Sequence, residues 1–144
     1  MAQVTALIDA NNFYASCEQS LDPALIGRPV VVLSNNDGCI VARSAEARAL
    51  GIAMGTPYFK ARATLERCGV VVRSSNYALY ADMSQRLMSL LESQVEELEV
   101  YSIDEAFARI SRPAAGDLLP WGRRLRALAR RNLGLPIAIG LGAS

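Results

Sequence analysis

The sequence predicts an α+β protein with the split βαβ pattern of ferredoxin-like folds. Four short apolar runs, at residues 4–8, 98–103, 106–110 and 136–141, are typical of buried strands. Two longer segments carry apolar residues at three- and four-residue spacing, which is typical of amphipathic helices. Leaving out residues 13 to 76, the order is strand, helix, strand, strand, helix, strand. Residues 13 to 76 are therefore predicted to form an inserted subdomain.

The composition indicates a single globular chain without a metal-sulfur or disulfide framework. The 144 residues are 51% hydrophobic and 20% charged, with a net charge of +1. Histidine is absent and Cys17, Cys39 and Cys68 are widely spaced, so neither a structural zinc site nor a disulfide framework is predicted, and buried thiols are expected. No run reaches the roughly 18 to 20 apolar residues of a spanning helix, and the start lacks signal-peptide features, so no membrane partner and a cytoplasmic location are expected.

The first strand ends in a carboxylate. The run VTALI at residues 4–8 is followed by Asp9, and then by Ala10, Asn11 and Asn12, which are poor strand residues. The strand is therefore predicted to deliver Asp9 to its C-terminal end.

The inserted segment contains a predicted hairpin and a short helix. Two apolar runs in residues 30–42 flank Asn36-Asp37-Gly38, which suits the positive φ angles of a tight hairpin turn. Ser44 is expected to cap a helix that runs to Leu50, with Gly51 just after its end.

The two predicted helices of the outer pattern flank a second hairpin. The first begins near Ser75, and the second has Pro120 in its first turn and Gly134 at its end. Between them, strands at 98–103 and 106–110 would form a hairpin with Asp104 and Glu105 at its turn. The apolar faces are predicted to consist of Leu79, Tyr80, Met83, Leu87, Leu90 and Leu91 in the first helix, and Leu118, Trp121, Leu125 and Leu128 in the second.

Three acids should meet at one edge of this sheet. Ferredoxin-like topology places the first strand beside the central hairpin, which brings Asp9 near Asp104 and Glu105. Like charges a few ångströms apart raise one another's pKa, and a divalent cation would relieve the repulsion. Oxygen ligands without histidine or cysteine suit Mg²⁺ or Mn²⁺, and a pair of such ions favours phosphoryl or nucleotidyl transfer. The alternative is that Asp104 and Glu105 form only a solvated polar turn.

Four motifs resemble the Y-family translesion DNA polymerases, and within that family the UmuC branch. They are DANNFYASCE (9–18), VVVLSNNDGCIVARSAEARALGI (30–52), SSNYALYADMSQRLM (74–88) and YSIDEAF (101–107). The resemblance implies a palm formed by residues 1–12 and 77–144 and a fingers-containing insertion at residues 13–76. It also implies a chain truncated before the thumb and little-finger domains.

The resemblance assigns roles to individual residues. Asp9, Asp104 and Glu105 match the catalytic, metal-binding acids of the family, and Ala10 would lend its backbone carbonyl to one of two Mg²⁺ ions, for which Mn²⁺ could substitute. A further set would bind the incoming nucleotide: Phe13, Tyr14 and Arg48, with Tyr14 as the steric gate that excludes a ribose 2′-hydroxyl. The sequence departs from many relatives at Ala45, where they have a tyrosine.

The implied activity is error-prone DNA synthesis within the SOS damage response. The implied partners are primer-template DNA, deoxynucleoside triphosphates, a UmuD-type dimer, a recombinase filament and a sliding clamp. Two alternatives stay open. One is an inactive protein that only binds partners, and the other is a nucleic-acid-binding module of the RRM kind, for which Tyr101 and Phe107 are the candidate stacking residues. The basic segment from Arg123 to Arg131 is expected on the back of the palm, away from the acids.

Overall fold

The computed structural model describes residues 3–111 and 118–143, which form an α+β structure of two compact units. The first unit comprises Met1–Asn11 and Tyr80–Ser144, and the second comprises Asn12–Leu79. Among the described residues, no helix combines the length and apolar character needed to cross a membrane. The elements in chain order are β1 (Gln3–Ala10), α1 (Phe13–Leu21), β2 (Val30–Leu33), β3 (Ile40–Arg43), α2 (Ala45–Ala49), α3 (Tyr58–Arg67), β4 (Val71–Ser74), α4 (Tyr77–Glu92), β5 (Glu97–Val100), β6 (Glu105–Ser111), α5 (Leu118–Leu133) and β7 (Ile137–Ala143).

The sheet of the first unit has ferredoxin-like topology. Its strand order is β5-β6-β1-β7, and β1 pairs antiparallel with both β6 and β7. The strands β5 and β6 form the central hairpin. Each helix of this unit connects two strands that are separated by another strand, as the split βαβ pattern requires. The predicted fold class is therefore confirmed.

The two faces of this sheet differ in burial. Along β1, Val4, Ala6, Ile8 and Ala10 are buried, whereas the alternate residues are exposed or half-buried. Helices α4 and α5 both have buried stripes, which are the apolar surfaces available in this unit to cover the buried side of the sheet. The opposite side, which carries Asp9, faces outward.

The two predicted helices of this unit are present, but the residues that they bury differ in part from the predicted apolar faces. Helix α5 ends before Gly134, whose φ is +67°, and Pro120 lies in its first turn. The residues that α5 buries are Gly122, Leu125 and Ala129, whereas Leu118, Trp121 and Leu128 are only partly buried. Helix α4 buries four of the residues predicted for its apolar face, namely Tyr80, Met83, Leu87 and Leu91. It also buries Ser84 and Met88.

The second unit is built around a three-stranded sheet with the order β3-β2-β4. Strands β2 and β3 form the predicted hairpin, and β4 adds a parallel strand to β2. Ser44 caps α2 as predicted, because its hydroxyl oxygen accepts the Ala47 N–H at 3.2 Å, and it also accepts the Val30 N–H at 2.9 Å. The core of this unit consists of Val31, Leu33, Ile40, Ala47, Ile52, Leu65 and Val70.

Several predictions need correction. Asp9 is at the C-terminal end of β1 as predicted, but the strand continues one residue further to Ala10, because the pairing with β6 includes Asp9 and the pairing with β7 continues to Ala10. In the hairpin loop only Asp37 has a positive φ, +56°, and the Ser34 hydroxyl oxygen holds the loop by accepting the N–H of Gly38. Of the three thiols, Cys17 is buried as expected, but Cys39 is partly exposed and Cys68 is exposed.

Candidate active site

The three predicted acids converge at one end of the outward sheet face. Asp9 on β1 is the direct pairing partner of Glu105, the first residue of β6, so the two side chains lie on the same face. Asp104 is in the turn just before β6. One carboxylate oxygen from each of the three residues lies within 4.8 Å of the other two. The structure therefore brings together residues that are separated by almost a hundred positions in the chain.

Backbone and hydroxyl hydrogen bonds fix the turn that carries Asp104. The N–H of Ala10 donates to the carbonyl oxygen of Asp104 at 2.8 Å, which ties the turn to β1. The Ser102 hydroxyl donates to a carboxylate oxygen of Asp104 at 3.0 Å. From the helical side, the Ser84 hydroxyl donates to the carbonyl oxygen of Ile103 at 2.5 Å. The turn is thus held from both sides before any ligand binds.

The electrostatics of the cluster are unfavourable without a cation. Partial burial raises the pKa of Asp9, and the neighbouring charges of Asp104 and Glu105 raise this pKa further. In residues 3–111 and 118–143 the ion pairs join other groups: Arg62 with Glu66, Arg73 with Asp22, Arg86 with Asp82, and Arg109 with Glu97. The acids therefore lack a neutralising side chain in the described part of the protein.

The donor set fits a hard divalent cation. Carboxylate oxygens are the ligands that Mg²⁺ and Mn²⁺ prefer, and the chain has no histidine that would favour zinc. One oxygen from each of the three carboxylates lies within 4.8 Å of the other two, close enough for them to be ligands of one ion or of a pair of ions. The Ala10 N–H is already engaged with Asp104, and the predicted role of the Ala10 carbonyl as a metal ligand stays a prediction.

The predicted nucleotide-binding residues belong to the second unit. Phe13 is the first residue of α1 and only 4% exposed, whereas Tyr14 beside it is partly exposed. The Tyr14 ring packs against two others, with centroids 6.0 Å from Phe13 and, edge to face, 6.0 Å from Tyr77. Arg48 lies on α2 with an exposed side chain. Tyr14 is therefore held by aromatic contacts, and the guanidinium of Arg48 points to solvent.

The sequence analysis did not identify the residues that hold Asp104 and Tyr14 in place. Ser84 and Ser102 hold the turn of Asp104, and Tyr77 packs against Tyr14. The only local signal was Ser102, since a serine two residues before an aspartate is typical of a polar turn. Ser84 and Tyr77 act through contacts between distant segments, which the local pattern does not report.

Exposed apolar side chains continue along the outward face next to the acids. Leu7 pairs with Phe107, and both lie two residues along their strands from the pair of Asp9 and Glu105, on the same face. The side chains of Leu7 and Phe107 are 40% and 37% exposed. The Tyr101 ring packs against Phe107 with centroids 5.8 Å apart. The predicted stacking candidates Tyr101 and Phe107 are thus together and accessible.

Comparison with known proteins gives matches over almost the whole chain. The family model described as the impB/mucB/samB family matches residues 8–144. Protein UmuC of Salmonella typhimurium is 54% identical over 137 residues, which cover 94% of this chain and 32% of that protein. DNA polymerase IV of Corynebacterium diphtheriae is 39% identical over 140 residues, covering 94% of this chain and 31% of that protein. The chain thus spans about a third of the length of these curated relatives.

Solved structures match the fold closely. DinB from Sulfolobus solfataricus superposes with a TM-score of 0.83 at 25% sequence identity, covering 96% of this chain and 42% of that one. The insertion ternary complex of Dbh DNA polymerase gives the same TM-score, identity and coverage. A Y-family DNA polymerase chimera gives a TM-score of 0.84.

Proposed function

This chain belongs to the impB/mucB/samB family, and we propose from that membership that it carries the nucleotidyl-transfer site of a DNA-directed DNA polymerase of the error-prone translesion type. The observation that carries the proposal is the convergence of Asp9, Asp104 and Glu105 on the outward face of a ferredoxin-like sheet. In this proposal residues 1–12 and 77–144 are the palm, and residues 13–76 contain the fingers. The relatives named DNA polymerase IV and the polymerase structures of similar fold support it.

The three acids, with the backbone carbonyl of Ala10, would hold two Mg²⁺ ions, or Mn²⁺ in their place. Such ions, when bound, supply Lewis-acid charge that activates a primer 3′-hydroxyl and neutralises the triphosphate and the leaving pyrophosphate. The part of the protein is to hold the carboxylates ready. Hydrogen bonds from Ala10 and Ser102 set the position of Asp104 in advance, and the pairing of β1 with β6 sets the positions of Asp9 and Glu105. Little reorganisation is then needed when charge develops.

Residues of the second unit would select and hold the incoming nucleotide. The Tyr14 ring, supported by Phe13 and Tyr77, would exclude a ribose 2′-hydroxyl by its bulk. Arg48 would bind the triphosphate, because an exposed guanidinium matches phosphate oxygens in a bidentate manner. The small side chain of Ala45 would leave one contact to the triphosphate or sugar unmade.

The proposed partners follow from the family. Primer-template DNA and deoxynucleoside triphosphates are the proposed substrates, and one solved structure of similar fold is an insertion ternary complex of a DNA polymerase. A UmuD-type dimer, a recombinase filament and a sliding clamp are proposed from the resemblance to the UmuC branch. The cytoplasm, where template and nucleotides are found in bacteria, is the proposed location. Neither alternative, the inactive partner-binding protein or the RRM-like module, is favoured by the family match.

Primer extension by the purified 144-residue chain tests the activity. The assay would use a primer-template, four deoxynucleotides and either Mg²⁺ or Mn²⁺, with Asp104→Ala beside the parent chain. We expect slow extension that Asp104→Ala abolishes, because the acid cluster then loses a ligand. Ser89→Ala, on the exposed side of α4, is the matched control and should extend as the parent does.

Two outcomes would count against the proposal. Extension that persists in Asp104→Ala would show that the product does not come from this site. The second outcome is that no nucleotide is added and that Mn²⁺ binds equally well to the parent chain and to Asp104→Ala. Such a result would contradict both the activity and the metal site.

A further inference from the structure

Helix α5 is far more basic than the rest of the molecule. Its residues Leu118–Leu133 include five arginines and no acid, in a chain whose net charge is only +1. All five side chains are exposed: Arg123, Arg124, Arg126, Arg130 and Arg131. Arg130 and Arg131 lie in the last turn, where positive charge complements the helix dipole. The dipole does not account for the three arginines nearer the middle of the helix.

Three of these arginines line one shallow depression. Arg123, Arg126 and Arg130, together called the arginine face below, surround a hollow of about 230 Å³ with Ala127, Pro136 and Ile137. Successive members are three and four residues apart, so they follow one another along the same side of the helix at intervals of about 4.5 and 6 Å. The arginine face is therefore a linear array of positive charge.

The positive charges of the arginine face are not neutralised within the described structure. The ion pairs and side-chain hydrogen bonds found in residues 3–111 and 118–143 involve other arginines, namely Arg43, Arg62, Arg67, Arg73, Arg86 and Arg109. Like charges at three- and four-residue spacing on a helix repel one another. An external polyanion would remove this repulsion.

The arginine face is on the opposite side of the sheet from the acids. Helix α5 buries Gly122, Leu125 and Ala129, and a Cβ on Gly122 would lie 4.0 Å from the Ile139 side chain of β7. Ile139 pairs with Ile8 on the buried side of the sheet, whereas Asp9 points to the outward side. A ligand of the arginine face would thus be bound separately from one at the acid cluster.

The surroundings of the arginine face disfavour a lipid or a protein partner. A membrane-bound helix inserts its apolar side, but that side of α5 is buried in the fold. Protein interfaces have an apolar centre, whereas the exposed large apolar side chain Leu119 lies in the first turn of α5, and the leucines, tryptophan and isoleucine from residue 121 to residue 137 are buried or partly buried. Regularly spaced phosphates, which guanidinium groups bind in a bidentate manner, match the array better.

We propose that the arginine face is a second nucleic-acid contact, which binds the phosphodiester backbone of DNA away from the reacting end. The choice of DNA rests on the proposed polymerase function, whereas the preference for a phosphate polymer rests on the arginines themselves. The contact is independent of base sequence, because the lining offers guanidinium groups and aliphatic surface but no aromatic ring for stacking.

Fluorescence anisotropy of a labelled oligothymidylate, titrated with the 144-residue chain in EDTA, tests this contact without any contribution from metal at the acid cluster. Three phosphate contacts predict a slope of about −2 in a plot of log affinity against log salt, or binding about twentyfold weaker at 200 mM than at 50 mM salt. The triple variant Arg123→Gln, Arg126→Gln and Arg130→Gln should lose that slope and bind at least about tenfold more weakly at the lower salt.

A second triple variant, Arg62→Gln, Arg67→Gln and Arg86→Gln, is the matched control, since it removes the same charge from exposed positions on α3 and α4. It should keep most of the affinity. Because the titration contains EDTA, no metal at the acid cluster contributes, which separates this contact from the proposed catalysis. Circular dichroism melting checks that each variant folds, and Arg126→Gln alone replaces the first triple variant if that variant does not fold.

No DNA binding by the parent chain, or an equal loss of affinity in both triple variants, would overturn the proposal. If poly-glutamate binds the parent chain as tightly as DNA does, and the triple variant of the arginine face loses this binding, the partner would be an acidic protein instead.

Discussion

Ala10 and Asp104 are joined by a backbone hydrogen bond of 2.8 Å, in which the N–H of Ala10 donates to the carbonyl oxygen of Asp104. It lies beside the direct pair of Asp9 and Glu105, so the backbone of the sheet fixes the positions of all three acids. The strand pairing and its backbone hydrogen bonds therefore hold the three carboxylates together against their mutual repulsion. A cation that enters the cluster meets ligands already in place.

Cation binding should stabilise the chain. A Mn²⁺ concentration about 100 times its dissociation constant would add about 2.7 kcal/mol to the free energy of unfolding and raise the melting temperature by about 5 to 10 °C. Asp104→Ala should reduce this rise to near zero, because one of the three carboxylates is gone. Differential scanning calorimetry with and without Mn²⁺ measures the effect. An equal rise in Ser89→Ala is expected, and an equal rise in Asp104→Ala would contradict the metal site.

The acid cluster should make the metal-free chain less stable as the pH rises. The pKa of Asp9 is raised from 3.8 in the folded chain, so between 3.8 and the raised value the folded state binds more protons than the unfolded state. The free energy of unfolding therefore falls as the pH increases through that window. Asp104→Asn removes one repelling charge and should make the fall shallower. Urea unfolding in EDTA from about pH 3 to about pH 7 gives the comparison, and superimposable curves would argue against the repulsion.

Tyr14 should govern discrimination between sugars. Tyr14→Ala is expected to raise the incorporation of ribonucleotides relative to deoxyribonucleotides by about tenfold or more, because bulk that would contact the 2′-hydroxyl is removed. Tyr14→Phe keeps the ring and should keep the discrimination. Primer extension with each nucleotide class, in the conditions that support the parent's activity, measures the ratio. A ratio unchanged by Tyr14→Ala would assign the ring to packing with Phe13 and Tyr77 alone.

Ser44 should be important for the stability of the second unit. Its hydroxyl oxygen accepts two backbone N–H groups, from Ala47 and Val30, and its side chain is almost completely buried. Ser44→Ala is expected to lower the free energy of unfolding by about 1 to 3 kcal/mol, since it loses a helix cap and leaves the Val30 N–H unpaired. Chemical denaturation measures this, with Ser89→Ala as the control that should change by less than about 0.5 kcal/mol. A loss equal to the control would mean that water replaces the hydroxyl.

The sequence was sufficient to predict the first unit because its signals are local and strong. Long helices with regular apolar spacing and strands bounded by turn residues define the split βαβ order, and topology then brings Asp9 to Asp104. The resemblance to Y-family polymerases and the α+β class are confirmed by the family match and by the solved structures. The roles of the individual site residues stay predictions.

The second unit was less predictable because its elements are short or lack end signals. Helix α1 begins after Asn12, which is in the left-handed region without a side-chain cap. Helix α3 fully buries only Leu65, with Tyr58 and Ala61 partly buried against the same core, so its apolar signal is weak. Strand β4 has four residues, and its parallel pairing joins Val30–Leu33 to a segment about forty positions later in the chain. Local patterns carry no information on such a pairing.

The central place of β1 in its sheet has a consequence for the order of folding during synthesis. Both neighbours of β1 are made much later, since β6 ends at Ser111 and β7 at Ala143, whereas the second unit needs only residues up to Leu79. At about 5 to 20 residues per second, the ribosome would leave β1 without either partner for about 5 to 20 seconds. In that interval its apolar residues and its unpaired backbone groups are open to other chains, and to any chaperone that meets them.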